Sequence, residues 1–373
     1  MASVEKRTDR GEDSWLVRWR DPEGRQRKKS FTRAAEARKY AAIVEADMAR
    51  GQYVDLAQRV TVAEYARSWA ASRPHRPTTA RRTAGLIDNH IGGTRLGNRR
   101  LAEVKPSEVQ GWASERAKVL GPATTRSLVG LLRSIYAAAV LDRLVPYSPV
   151  VRIALPRVER PRVIPLTVEQ VGALANAMPD RYRSMVITQA GLGLRIGELL
   201  GLRVEDVDFL RRTVRVEWQF TSGSKERSEP KTPRSRRTIP APQVVLDAIA
   251  GHLAAYPAGE DGAVFTTTTG TPLGHVYYGH NLFRRAVASA ALPAGTTSHD
   301  LRHHFASLLL AAGESVVAVA ERLGHDDASL VLSTYGHLMP DSEDRTRRAV
   351  DAAWGAARDV CAPDVPQGVR SLR

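Results

Sequence analysis

The stretch Ser298-His-Asp-Leu-Arg-His-His-Phe-Ala-Ser307, with its continuations Leu323-Gly-His325 and Asp326-Asp-Ala-Ser-Leu-Val-Leu-Ser-Thr-Tyr335-Gly-His337, reads as helix, turn, helix. His299 and Arg302 are three residues apart and share a helix face. Gly324 suits the left-handed position that closes a helix. The segment beyond it ends on a tyrosine. Imidazole, guanidinium, imidazole and phenol are the groups that phosphodiester chemistry with a protein nucleophile needs, if the fold makes them converge.

Upstream, a helical Arg183–Ala190 segment runs into Gly191-Leu-Gly-Leu-Arg195-Ile-Gly-Glu198-Leu-Leu-Gly-Leu202. A glycine-rich turn entering a helix can offer Arg195 and backbone N–H groups to an anion. It lacks the Gly-Lys-Ser/Thr element of a nucleotide phosphate loop. Val214, Val216, Trp218 and Phe220 alternate, which predicts a half-buried strand over Thr213–Phe220. Pro230-Lys231-Thr-Pro-Arg-Ser-Arg-Arg-Thr-Ile-Pro240 supplies the return strand, and Lys225 and Lys231 are the only lysines after residue 118. Helices follow near 242–256 and 275–291. A last one, over residues 342–358, carries Ala349, Val350, Ala353 and Trp354 and is suited to packing either in cis or against a neighbouring protomer.

Earlier in the chain, Thr167-Val-Glu-Gln170 is a capping box flanked by Leu166 and Val171, so a domain begins there. Pro156, Pro161 and Pro165 hold an extended linker, whose Arg157 and Arg160 suit contact with a DNA backbone. Thr61-Val-Ala-Glu64 is another capping box and opens a helical bundle, with further helices near 78–91, 106–118 and 122–143. Leu128, Leu131, Leu132, Ile135, Ala138 and Ala139 mark the last as its core helix. Arg81, Arg82, Arg126 and Arg133 are candidate DNA contacts on the bundle, each equally explicable as a solvated charge. Trp15, Val17 and Trp19 alternate with Leu16, Arg18 and Arg20, then comes the turn Asp21-Pro-Glu-Gly24 and a basic strand from Arg25 to Phe31. With a helix over 33–50 these strands form a small sheet-plus-helix unit. Arg18, Arg20, Arg25, Arg27, Lys28 and Lys29 make it a candidate DNA-binding ribbon, although a charge run can also be only a solvated face.

The 373 residues accommodate several cores, and 43% hydrophobic with 25% charged residues is ordinary for a globular protein. The net charge of +15 is not, and it points to a polyanionic partner, above all nucleic acid. Only eight of the 55 basic residues are lysine, a bias that phosphate contacts or a GC-rich genome would both produce. The single cysteine, Cys361, excludes an intrachain disulfide and a cysteine zinc site. Without a signal peptide or a long apolar run, the chain is expected to be intracellular and soluble, away from membranes.

Gly-Leu-Arg195-Ile-Gly-Glu198-Leu, Pro-Lys231-Thr, His299-Asp-Leu-Arg302-His303, Leu-Gly-His325 and Tyr335-Gly-His337, in that order, closely resemble the tyrosine recombinase (phage integrase) family. The resemblance spans about 60 to 355, with residues 12–56 similar to the arm-binding domain of the longer integrases. His304 departs from it, since relatives often carry a small polar residue there. The implied fold is multidomain and mainly α with small β elements. Its parts are an arm-type unit (1–56), a SAM-like core-binding bundle (57–155), a linker (156–165), an α+β catalytic domain (166–358) and a flexible tail (359–373).

By the same resemblance Tyr335 is the nucleophile, and Arg195 and Arg302 clamp the nonbridging phosphate oxygens. His299 serves as base or hydrogen-bond partner, His325 donates to the phosphate, and Lys231, preferred over Lys225, protonates the 5′-oxygen. Glu198, His303 and His337 are supporting residues. A 3′-phosphotyrosine conserves the bond energy, so no cofactor or metal is expected. Expected partners are double-stranded DNA attachment sites, a homotetramer on two duplexes, and a host DNA-bending protein and directionality factor. A type IB topoisomerase and a non-catalytic DNA-binding regulator are the competing classes; the arm-like unit argues against the first, the full catalytic set against the second.

Overall fold

Where apolar side chains recur with helical or strand period, the chain buries them in three separate clusters, and these define the architecture. The computed structural model describes residues 2–9, 12–50, 53, 59–158, 162–224, 226–230, 232–338 and 343–355. Arg160, Lys225 and Lys231 lie outside the described residues. The chain divides into two compact units, residues 1–160 and 161–373.

The first unit opens with the antiparallel sheet β1 (Ser3–Asp9), β2 (Glu12–Arg20) and β3 (Gln26–Phe31), in that spatial order, covered by α1 (Ala34–Ala49). The sequence predicts only the second and third strands. In β1, Val4 alone is apolar, so no alternation announces it, and the strand forms by backbone pairing along β2 with Val4 opposite Val17. Val17 and Trp19 bury themselves against Ala37, Ala41 and Val44, and Trp19 Nε1 donates to Tyr53 Oη at 2.7 Å. The β2–β3 turn is held by Asp21, whose carboxylate accepts from Arg25 N (2.8 Å) and Arg27 Nε (3.0 Å).

The second cluster is a bundle of α2 (Val62–Ser72), α3 (Pro77–Ile87), α4 (Pro106–Ala117) and α5 (Pro122–Leu141). Thr61 starts α2 with a reciprocal capping box to Glu64. The other three begin on proline, where the missing N–H costs nothing. α3 continues without a break into a π-helical turn at Asp88–Gly92, so the helical run spans 77–92, close to the 78–91 expected. Leu128, Leu132, Ile135, Tyr136 and Ala139 of α5 form the spine of this core.

The second unit begins at α6 (Val168–Ala177), capped by Thr167 and Gln170, followed by α7 (Asp180–Leu192) and the short α8 (Ile196–Gly201). Strands β4 (Val207–Asp208), β5 (Thr213–Val216) and β8 (Arg237–Pro240) form one antiparallel sheet, and β6 (Gln219–Phe220) and β7 (Arg227–Ser228) a separate ribbon. The single strand expected over 213–220 is therefore broken at Glu217-Trp218. The Trp218 backbone packs so closely on α8 that a Cβ at Gly201 would lie 2.8 Å from its carbonyl oxygen. The apolar alternation runs through the break undisturbed, which is why it is invisible in the sequence. Then come α9 (Gln243–Ala255), a π-type turn at Tyr277–Phe283 leading into α10 (Arg284–Ser289), α11 (Ser298–Ala311), α12 (Val316–Leu323), α13 (Ala328–Tyr335) and α14 (Glu343–Gly355). The helix expected over 275–291 is present as one helical run over 275–289, its middle wound as a π-helix. Among the described residues no helix is long and apolar enough to cross a membrane.

Ile135 is fully buried at the centre of the bundle. Ile135→Ala should lower the unfolding free energy of the first unit by about 2–5 kcal/mol through lost burial and a residual cavity. Urea denaturation followed by tryptophan fluorescence measures it.

Candidate active site

A helix leaves its last carbonyls without intrahelical partners and carries partial negative charge at that end. At the C-terminus of α12 three consecutive carbonyls are each taken by a different arginine. Arg237 Nε donates to Arg322 O (2.7 Å), Arg302 Nη2 to Leu323 O (2.6 Å) and Arg195 Nη2 to Gly324 O (3.1 Å). The three come from β8, α11 and the residue capping α8. Gly324 closes α12 at φ +66°, and a Cβ there would lie 2.9 Å from Arg237 Nη1. Arg302 also donates Nη1 to Gly193 O at 2.7 Å and is 1% exposed.

Glu198 sits beside this cluster at 3% exposure, paired with Arg195 Nη1 and Arg237 Nη2, both at 2.8 Å. Burial pushes its pKa up, but Arg237, Arg195 and Arg302 outweigh that and hold it at about 2. Burial first, then Arg195, brings Arg302 down to about 9, so it stays a cation at neutral pH. The glycine-rich turn commits its Arg195 N–H to the protein's own carboxylate, donating to Glu198 Oε2 at 2.9 Å. Its glycines permit close packing instead: a Cβ at Gly193, where φ is +62°, would lie 2.4 Å from the Phe305 ring.

The histidines separate by position. His325 Nε2 lies 3.1 Å from Arg302 Nη2, and burial followed by Arg302 and Arg195 lowers its pKa to about 4. His299 lies in the first turn of α11, with part of the residue open to solvent. The protein walls around it, then His303 and Arg302, lower it to about 4 as well. Its ring stands edge-on to that of His303, 4.7 Å between centroids. His303 Nδ1 is 2.6 Å from Tyr335 Oη. Tyr335 is 4% exposed, and burial raises its phenol to about 12 against the opposing pull of Arg302. His304 turns to the core and meets Leu166 O at 2.6 Å, while His337 Nε2 meets Val163 O at 3.0 Å.

A cavity of about 450 Å³ opens beside the cluster, lined by Arg195, Glu198, Pro230, Thr232, His325 and Asp326 among others. Pro230 and Thr232 bracket Lys231, which with its rival Lys225 lies outside the described residues. Thr232 Oγ1 donates to Asp326 Oδ1 at 3.2 Å, and Arg234 Nη1 to the Asp326 carbonyl, so this hairpin is tied to the turn that carries His325.

The expected DNA-contacting cations fare differently. Register pairs Val17 with Lys29 and Trp19 with Arg27, which places both cations on the α1 side of the sheet. There Lys29 Nζ lies 4.5 Å above the Tyr40 ring and Arg27 pairs with Asp21. Arg18, Arg20 and Lys28 project from the opposite face, Arg18 pairing with Glu5 at 3.5 Å, and Arg25 sits at the turn. Arg81 and Arg82 on α3, Arg126 and Arg133 one heptad apart on α5, and Arg157 are exposed; Arg160 is outside the described residues. Arg237 was missed. A signal was available, because strand alternation puts it on the same side as the buried Ile239 and opposite Arg236 and Thr238.

Residues 165–341 match the model of the phage integrase family. The prophage phiRv2 integrase of Mycobacterium tuberculosis is 30% identical over 278 residues, covering 72% of each chain. The integrase of Mycobacterium phage FRAT1 is 28% identical, covering 80% of this chain and 90% of its own. The solved Tn1549 transposon integrase in complex with circular intermediate DNA superposes with a TM-score of 0.68 at 25% identity, over 79% of this chain and 100% of that one.

Arg237→Met should cost about 3–5 kcal/mol at neutral pH, because it strips a buried carboxylate of one cation. The sign with pH follows from Glu198. Its folded pKa of about 2 lies below the ordinary value of 4.5 for a free glutamate, so its contribution is complete above 4.5 and fades as pH falls toward 2. Urea midpoints of the two proteins should therefore differ most above pH 5 and converge over that window.

Proposed function

The chain belongs to the phage integrase family, the tyrosine recombinases, and from that premise we propose that it is a site-specific DNA recombinase that integrates a phage or similar mobile element into a host attachment site. The observation carrying this reading is the convergence at one turn of Arg195, Arg302 and His325, with Tyr335 on the helix that follows. A phosphodiester carries one negative charge and its pentacoordinate transition state gains another. Two guanidiniums already anchored on carbonyls meet that charge with little reorganisation, and losing one such donor typically costs about 10²–10³ in rate. His299 and His325 stand neutral before DNA arrives, and an approaching phosphate raises their pKa values and favours their donating form.

Tyr335 Oη attacks phosphorus, the 5′-oxygen leaves with a proton from Lys231, and a 3′-phosphotyrosine holds the strand. Attack by the partner strand's 5′-hydroxyl reverses these steps on a new duplex. Four protomers on two duplexes carry out paired exchanges, with a host DNA-bending protein and a directionality factor as accessory partners. The sheet of residues 3–31 is the arm-type DNA contact through Arg18, Arg20, Arg25 and Lys28, and the bundle grips core DNA through Arg81, Arg82, Arg126 and Arg133. The first-unit sheet, the bundle and the linker at Arg157 add separate sets of cations to the catalytic domain. Binding should weaken steeply with salt, log K falling by about 0.9 per phosphate contact for each unit of log salt.

A nicked suicide substrate bearing the attachment site tests the assignment. Wild type should accumulate a covalent protein–DNA adduct on denaturing gels, and Tyr335→Phe should bind the site but form none. An adduct persisting in Tyr335→Phe overturns Tyr335 as nucleophile. Relaxation of supercoiled plasmid without site preference would assign the chain to the topoisomerases instead.

A further inference from the structure

We propose that His303 is the catalytic base that takes the proton of Tyr335, a role that rests on the reading of Tyr335 as nucleophile and displaces His299 from it. The contact is direct, with His303 Nδ1 2.6 Å from the phenolic oxygen. The two rings meet edge-to-face with centroids 5.5 Å apart, so the imidazole is held by packing as well as by the hydrogen bond. Tyr335 is almost fully buried, and His303 Nδ1 is its hydroxyl's hydrogen-bond partner among the described residues.

The direction of that bond follows from protonation. At neutral pH the phenol keeps its proton, since burial has raised it to about 12. A buried hydroxyl needs an acceptor for that proton, and Nδ1 supplies it, which puts the imidazole proton on Nε2. Burial, assisted by Arg302 and opposed by Asp300, lowers the pKa of His303, so it is neutral and free to accept. His299 has none of this geometry. It is partly open to solvent, and its ring packs edge-on against that of His303 rather than on Tyr335.

The site gains an economy of placement from this assignment. Arg302 and His303 are adjacent on α11, so successive side chains diverge by about 100° around the helix axis. One enters the arginine cluster and the other meets α13. A single helix turn thus sets the phosphate donor and the proton acceptor relative to each other.

The Oη–H bond breaks and its proton passes to Nδ1, leaving an imidazolium. The Oη–P bond forms, the P–O5′ bond breaks, and the leaving oxygen takes a proton from the general acid. No transfer occurs at rest, because the phenol is far less acidic than the imidazolium. It proceeds only as the developing phenolate charge is consumed by phosphorus. In religation His303 returns the same proton to Tyr335 as the tyrosine leaves.

The test is single-turnover adduct formation on the suicide substrate by the full chain. His303→Ala should slow it by about 10²–10⁴, the usual range for a lost general base, with site binding unchanged. His303→Asn places an amide oxygen near the Nδ1 position, which can accept the phenol's hydrogen bond but not its proton. It should remain as slow as the alanine variant. Incorporating 3,5-difluorotyrosine at position 335 acidifies the phenol and should recover much of the loss in His303→Ala. A substrate with a 5′-bridging sulfur, whose thiolate leaves without a proton, should not. Recovery of the wild-type rate by His303→Asn would reduce His303 to a positioning residue and overturn the proposal. So would an undiminished rate in His303→Ala beside a collapse in His299→Ala. Absence of any adduct from wild type would instead count against the recombinase reading itself.

Discussion

The C-terminus of α12 is the point on which the site depends. Three guanidiniums close to one another repel, and bringing them together requires negative charge that does not itself compete for the substrate. Three unpartnered carbonyls, with roughly half an elementary charge at the helix end, supply part of it. Glu198 supplies the rest from beside the cluster, too deeply buried to leave and too strongly paired to protonate. Arginine suits this arrangement where lysine does not. Its fork has five donors in fixed directions, so one edge can bind a carbonyl or Glu198 while another remains for phosphate.

That turn also ties together the elements around the site. Leaving Gly324, the chain passes His325 and Asp326 and starts α13 at Asp327, whose Oδ1 accepts from Ser329 N at 2.8 Å. Tyr335 ends the same helix. Thr232 and Arg234 hold their segment to Asp326. The arginine cluster, Thr232, Arg234 and Tyr335 are therefore all tied to one short turn and the helix that follows it.

Most of the residues that meet around this turn were legible in the sequence. Tyr335, Arg195, Arg302 and His325 were identifiable from their motifs, and the capping boxes at Thr61 and Thr167 marked helix starts that the structure contains. What stayed hidden did so for physical reasons. β1 is paired through its backbone, and its side chains carry no apolar alternation. The break between β5 and β6 leaves the alternation intact. Arg27 and Lys29 look like their neighbours in composition, but strand parity and the aromatic ring of Tyr40 take them to the other face.

The sequence alone determined the chemical inventory: a polycationic chain, helices whose ends are written in capping residues, and a set of arginines, histidines and one tyrosine in a diagnostic order. Tertiary structure decided which members of chemically identical groups do what. Arg237, rather than Arg234 or Arg236, pairs with Glu198, which is 39 positions away. His303, rather than His299 or His304, meets Tyr335 across 32. A side chain's partner, burial and protonation depend on groups distant along the chain, and local periodicity carries no information about which of them the fold will bring near.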